Sequence, residues 1–217
     1  MSKASQSKAD GAGRKLNKKQ LSRERSIGLL SEAAFRLFVL HGYHATTLEA
    51  IASEADLTKG AVYFYFGSKE NLVLHLFEVL REEIVAPQIE AIRKSDGGMV
   101  DKVIGYIHCG ANFGVDRPQK LLFMIQMGIE FGEQDNAIAK GIKRLYKDLY
   151  DELEGVVEVA QTSGDVSRDV KPKVLASMII AVHDGMMLQY HLRRREISGP
   201  ELVRHVREML LHGLGKV

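Results

Sequence analysis

GYHATTLEAIASEADLTKGAVYFYFGSKENL, residues 42–72, reads as two short helices joined by a tight turn, with a third helix beginning at its end. Thr46, with Glu49 three residues on, predicts a capping box and a helix that starts at Thr47 or Leu48. Ile51 and Ala52 give that helix an inner face. The turn Ala55-Asp56-Leu57 puts Asp where left-handed backbone is needed, a conformation Asp tolerates better than most residues. Thr58 is the predicted N-cap of the second helix. Gly60 and Ala61 keep its first turn slim, so that it can come close to base edges and phosphates. Gly67 ends that helix, and Ser68 caps the next one, with Glu70 in its first turn favoured by the helix dipole. Two short helices arranged in this way present the second to a DNA major groove.

Working outward, Ile27, Leu30, Ala34, Leu37 and Phe38 form one apolar stripe of an amphipathic helix, and Gly42 follows where a left-handed C-cap belongs. Together, AAFRLFVLHGYHATTLEAIA (33–52) and LTKGAVYFYFGSKENL (57–72) resemble the N-terminal domain of the tetracycline-repressor (TetR/AcrR) family of bacterial regulators. The match holds in order and spacing over roughly residues 22 to 80. It departs in two places. Asp56 stands where the family often has Gly, and Tyr63-Phe64-Tyr65-Phe66 where it often has Tyr-Tyr-His-Phe. The second change puts a Tyr hydroxyl in place of a His phosphate contact.

DNA-contacting roles follow residue by residue. Thr46 and Thr47 lie at a helix N-terminus, where hydroxyls and free amides suit a phosphate. Thr58, Lys59, Gly60 and Ala61 head the recognition helix, and Lys59 is the candidate for a guanine contact. Tyr63 resembles the family's Tyr that touches phosphate or a thymine methyl, while Tyr65 and Lys69 would clamp backbone. Val62 and Phe66 fall on the inner side, and Phe64 is ambiguous.

The charge distribution agrees. Residues 1–25 carry eight basic and two acidic side chains, whereas the other 192 carry 22 basic and 26 acidic. The first 15 residues are dominated by Ser, Lys, Gly and Ala, which predicts a disordered basic arm placed to touch phosphate or the minor groove. The expected organisation is all-α. A basic arm spans 1–18, a three-helix DNA-binding domain with a helix-turn-helix spans 19–70, and a helical bundle for ligand binding and dimerisation spans 71–217.

Composition excludes several classes. No apolar leader opens the chain, and the apolar run 174–192 is interrupted by Ser177, His183, Asp184, Gln189 and His191, so it predicts a buried helix rather than a membrane span. A lone Cys109 offers no disulfide framework and suits a reducing cytoplasm. The eight His are scattered without metal-ligand spacing, and no Gly-rich loop or nucleophile–base pair stands out. Neither a cofactor, a metal nor an enzyme is expected.

In the rest of the chain, Pro87 predicts a kink in, or the end of, the helix that leaves the DNA-binding domain, Asp96-Gly97-Gly98 a loop, and Pro118 and Pro172 helix starts. The segment from Pro172 to about Glu196 is apolar nearly all round. One stripe holds Leu175, Met178, Ile179, Val182 and Met186; another holds Ile180, Met187 and Leu188. One side suits the core and the other a second subunit, and the family resemblance implies a homodimer built on the last two helices, bound to a palindromic operator in double-stranded DNA. A small, mainly apolar effector is expected among His108, Phe113, Phe123, Met124, Met127, Tyr150, His183, Met186 and Tyr190, with the helix from Ser68 to about Ile92 as the lever between domains. Two alternatives remain open: a regulator that activates or needs no ligand, and a helical ligand- or protein-binding dimer with a vestigial DNA module.

Overall fold

The computed structural model describes residues 17–213, with side chains described to residue 209. The expected arm over 1–18 lies outside the described residues except for Asn17 and Lys18, which already belong to the first helix. Asn17 caps it, accepting from the Gln20 amide at 2.9 Å while the Gln20 side chain accepts from the Asn17 amide at 2.9 Å.

Three helices form the N-terminal domain: α1 (Lys18–Ala45), α2 (Leu48–Glu54) and α3 (Lys59–Phe66). Gly42 breaks α1 with φ 79°, and Asp56 in the turn between α2 and α3 has φ 54°, alone among the described non-glycine residues. Thr58 caps α3 by accepting from the Ala61 amide at 3.2 Å. Ser68 caps α4 (Lys69–Leu80) by accepting from the Asn71 amide at 3.1 Å.

One cap differs from expectation. The N-cap of α2 is Thr47, whose hydroxyl accepts from the Ala50 amide at 3.1 Å. Thr46 instead is 2 % exposed, and its one hydroxyl proton lies between the carbonyls of Gly42 and Leu37, at 2.8 and 3.1 Å. The positive φ at Gly42 takes its own carbonyl out of the helical ladder, and the Thr46 hydroxyl reaches it.

Beyond α4, a single π-helical turn (Arg81–Val85) leads into α5 (Ala86–Lys94), with Pro87 in the first turn of α5. The proline ring would clash with the carbonyl four residues back, at Glu83, and the widened turn removes that clash without ending the helix. Next come α6 (Met99–Asp116), α7 (Pro118–Phe131), α8 (Ala137–Ser163), α9 (Pro172–Arg193) and α10 (Gly199–Gly213). On α8, Ile138, Ile142, Leu145, Leu149, Leu153 and Val157 make one fully buried stripe. Helix α9 packs on α8, and α10 packs on α6. No helix among the described residues is long and apolar enough to cross a membrane.

The two parts of the molecule meet chiefly through α7. Its Phe123 ring sits 5.2 and 5.7 Å from Phe35 and Phe38 of α1, and 6.1 Å from Phe77 of α4. Farther along α7, Phe131 packs edge-on to Tyr43 at 5.1 Å. The segment from Ser68 to about Ile92, expected as the lever, folds as α4, the π-helical turn and most of α5, and α7 also touches the DNA-binding domain directly.

Candidate DNA-reading surface and effector cavity

On α3, Val62 and Phe66 are buried at 0 and 9 % exposure, which turns Lys59, Gly60, Tyr63 and Phe64 outward. Lys59 forms an ion pair with Glu49 of α2, and its ammonium lies 5.6 Å from the Tyr63 ring. The hydrogen bond between them raises the Lys59 pKa and lowers that of Glu49. Both groups are well exposed, so the pair opens at little cost when a better acceptor arrives. A Cβ at Gly60 would meet only the Thr58 hydroxyl, at 3.8 Å. The fold itself thus does not require glycine there.

Thr47, Thr58, Lys59, Gly60, Ala61 and Tyr63 lie together at the N-terminal ends of α2 and α3 and along the outer face of α3, with Tyr65 half-buried beside Phe64. Thr46 and Lys69 do not join them. The buried Thr46 hydroxyl is occupied within α1. Lys69 points its ammonium back at the end of α1, donating to the carbonyls of Tyr43 (2.8 Å) and Thr46 (2.9 Å), 4.3 Å from the Tyr43 ring. Burial lowers its pKa. Its charge closes the end of α1, so any effect on phosphate acts at longer range.

A cavity of ≈ 420 Å³ opens between α6, α9 and α10. It is lined by the apolar Ala111, Val115, Met186, Met187, Leu202 and Val203 and by the polar His108, Asn112, Tyr190, Arg204 and Arg207. A smaller recess of ≈ 70 Å³ adjoins it through Val115, Met187 and Tyr190, and adds Pro118, Leu121 and Arg194. Of the expected effector-binding residues, His108, Met186 and Tyr190 meet here. Tyr150 lies elsewhere, on an open groove of ≈ 520 Å³ between α7, α8 and α9.

The remaining five line none of these spaces. Phe123, Met124 and Met127 are buried at 0, 4 and 0 %, and Phe123 is occupied by the rings of α1 and α4. Phe113 is half-buried against the core. His183 is a satisfied core histidine, 3.4 Å from the Gln88 amide nitrogen, 3.1 Å from an Asp184 carboxylate oxygen, and packed on Tyr106 at 4.9 Å. The Asp184 carboxylate also accepts from the Tyr146 hydroxyl at 2.9 Å. Burial first, and Asp184 second, push the Tyr146 pKa well up, so Tyr146 stays a neutral donor.

A polar cluster absent from the sequence reading connects this region to the DNA-binding domain. Lys120 of α7 is almost fully buried, yet its ammonium reaches Glu32 of α1 at 2.7 Å and Glu83 of the π-helical turn at 2.8 Å. Arg117, just before Pro118, also pairs with Glu83. The cluster thus ties the first turn of α7, which walls the recess, to α1 and to the turn below α4. A lysine directly before the apolar run Leu121–Ile125 of α7 was the available signal. Cys109 is half-buried, with its thiol pKa raised by burial, which leaves it a weak nucleophile. Among the described residues, no group of His, Cys, Asp and Glu is placed to hold a metal.

Known proteins match both halves of the chain. Residues 30–76 match the family model for bacterial regulatory proteins of the tetR family, and residues 132–215 match that for the C-terminal part of BetI-type transcriptional repressors. The crystal structure of the MbdR regulator from Azoarcus sp. CIB is 33 % identical, superposes with a TM-score of 0.77, and covers 88 % of this chain and 99 % of that one. The fatty acid metabolism regulator protein of Bacillus subtilis is 21 % identical over 84 % of this chain and 92 % of its own. The same fold appears in FadR from Bacillus subtilis in complex with stearoyl-CoA, at 19 % identity, a TM-score of 0.71, and coverage of 86 % of this chain and 98 % of that one. With its recognition helix capped and turned outward and 88 % of its length matched by a regulator, the chain belongs to the tetR family of bacterial regulatory proteins and is a DNA-binding transcriptional regulator.

Proposed function

We propose that the chain is a homodimeric repressor that holds a palindromic operator through α2 and α3, and that an amphipathic acyl compound with an anionic head releases it. The observation that carries the effector is the cavity between α6, α9 and α10. Its apolar lining is methionine and aliphatic, while Arg204 and Arg207 line it too and Arg194 lines the adjoining recess. Apolar walls suit an acyl chain, and guanidinium groups suit phosphates. A coenzyme A thioester combines both parts, and stearoyl-CoA is the ligand held by the Bacillus subtilis FadR structure.

Pairing would use the outer face of α9. Val174, Met178, Ala181, Gly185, Leu188 and Leu192 alternate in steps of four and three residues, the spacing of a coiled-coil seam. Val174, Met178, Leu188 and Leu192 are 45, 56, 37 and 64 % exposed, although all are large apolar residues. Met178, expected on one stripe with Leu175 and Ile179, is exposed where those two are buried, and so faces outward with Leu188. Ala181 and Gly185 at the middle of the seam leave room for a partner helix to approach closely.

Release would follow from the Lys120 cluster and the π-helical turn. A ligand filling the recess beside Pro118 and Leu121 displaces the start of α7, and with it the hold of Lys120 on Glu32 and Glu83. It shifts the balance only by its difference in affinity between the two arrangements. Selecting sites from a random DNA pool with the full chain tests the reading. A palindrome with half-sites one or more helical turns apart, bound with a steep salt dependence, is the expected outcome. Weak binding without sequence preference would refute it.

A further inference from the structure

Phe64 points outward from α3. At about 100° per residue, Phe64 lies about 160° from both Val62 and Phe66, the two residues that anchor α3 to the core. It therefore stands at the outermost line of the helix, and it is 80 % exposed. Gly60, one turn earlier on the same side, has no side chain to cover it, and Tyr65 meets it only edge-on, at 5.2 Å. A phenyl ring held clear of its own domain, in the middle of the surface that enters the groove, calls for an apolar partner there.

The major groove offers one apolar group. The polar atoms of the base edges are hydrogen-bond donors and acceptors, whereas thymine carries a C5-methyl. We infer that Phe64 is a specificity-determining residue whose ring packs on the C5-methyl of one thymine in each half-site. Lys59, at the N-terminal end of the same face, supplies a polar contact to a neighbouring base. The inference rests on α3 being the helix that enters the groove.

Deoxyuridine isolates the methyl, because it pairs like thymine and lacks only that group. The full chain is used to select an operator, and each thymine of both half-sites is then replaced by uracil, position by position, with affinity read by fluorescence anisotropy. Uracil at one symmetry-related pair should weaken wild-type binding by roughly tenfold, the effect of uncovering one methyl twice. Phe64→Ala should bind the thymine and uracil operators equally, with an unchanged melting temperature, as expected for an exposed side chain. An operator with no uracil-sensitive pair would overturn the assignment, as would a penalty that persists in Phe64→Ala. Failure to select any operator would remove the reading beneath it as well, and is distinguishable because wild-type binding is then nonspecific from the start.

Discussion

The two halves of this molecule are held together by different kinds of interaction. In the N-terminal domain nearly every decision is local: Thr47, Thr58 and Ser68 each cap the helix that follows, and Gly42, Asp56 and Gly67 each turn the chain with positive φ. In the C-terminal body the decisive contacts join residues far apart in sequence, such as Arg93 with Glu152, Gln88 with His183 and Tyr146 with Asp184. A domain fixed by local signals can stay rigid while it is moved as a unit. A body fixed by long-range contacts has more ways to be repacked by a ligand. That division suits a reader of DNA joined to a sensor.

The comparison is sharpest at Phe123. As a shared wall of both halves, it should cost about 3–5 kcal/mol of stability when replaced by Ala. Chemical denaturation measures this. Unchanged stability with weakened ligand binding would return Phe123 to the effector site and weaken the distinction drawn here. At the outer seam, Gly185→Arg should keep the protomer folded, since a Cβ at Gly185 meets nothing within 4 Å. It should prevent pairing and reduce operator affinity by about a hundredfold or more, because the two half-sites would no longer be bound together. Sedimentation and anisotropy together would show whether α9 is that seam.

Lys120→Met probes the link between the halves. The lysine is buried but its two carboxylate partners are partly exposed, and Glu83 keeps Arg117, so a loss of about 1–2 kcal/mol is expected. DNA binding should survive while its response to ligand fades. A full response in the variant would place the coupling elsewhere, most simply in α4. The smallest effect belongs to the local side: Thr58→Ala should cost about 1 kcal/mol, the usual loss of an N-cap, seen as a lower melting temperature. A cost well above that would mean that α3 depends on more than its own cap.

The same division explains what could be read from the chain alone. Helix starts at Thr58 and Ser68, the left-handed turn at Asp56 and the inward placement of Val62 and Phe66 all depend on neighbours within about one helical turn, and all are in the structure. Thr46 was misread because Thr46 and Thr47 both sit before the same helix, and the open carbonyl of Gly42, not the spacing to Glu49, chose between them. Lys69 resembles a phosphate ligand in sequence, but its partners lie 23 and 26 residues away. Aromatic and sulfur side chains on α7 look alike whether they face a ligand or another helix, so Phe123, Met124 and Met127 could not be sorted without the packing of α1 on α7. His108, Met186 and Tyr190 do meet at one cavity, whereas Arg204 and Arg207, which line it too, come from α10, a segment that showed only an apolar face.

The most direct test of the account measures operator affinity of the full chain with and without a long-chain acyl coenzyme A, in the wild type and in Arg204→Ala/Arg207→Ala. The account predicts that the thioester weakens wild-type binding by about 5- to 150-fold, that free coenzyme A does so far less, and that the double variant binds DNA normally but ignores the thioester. Equal operator affinity with and without every acyl thioester tried, or an undiminished response in the double variant, would contradict it.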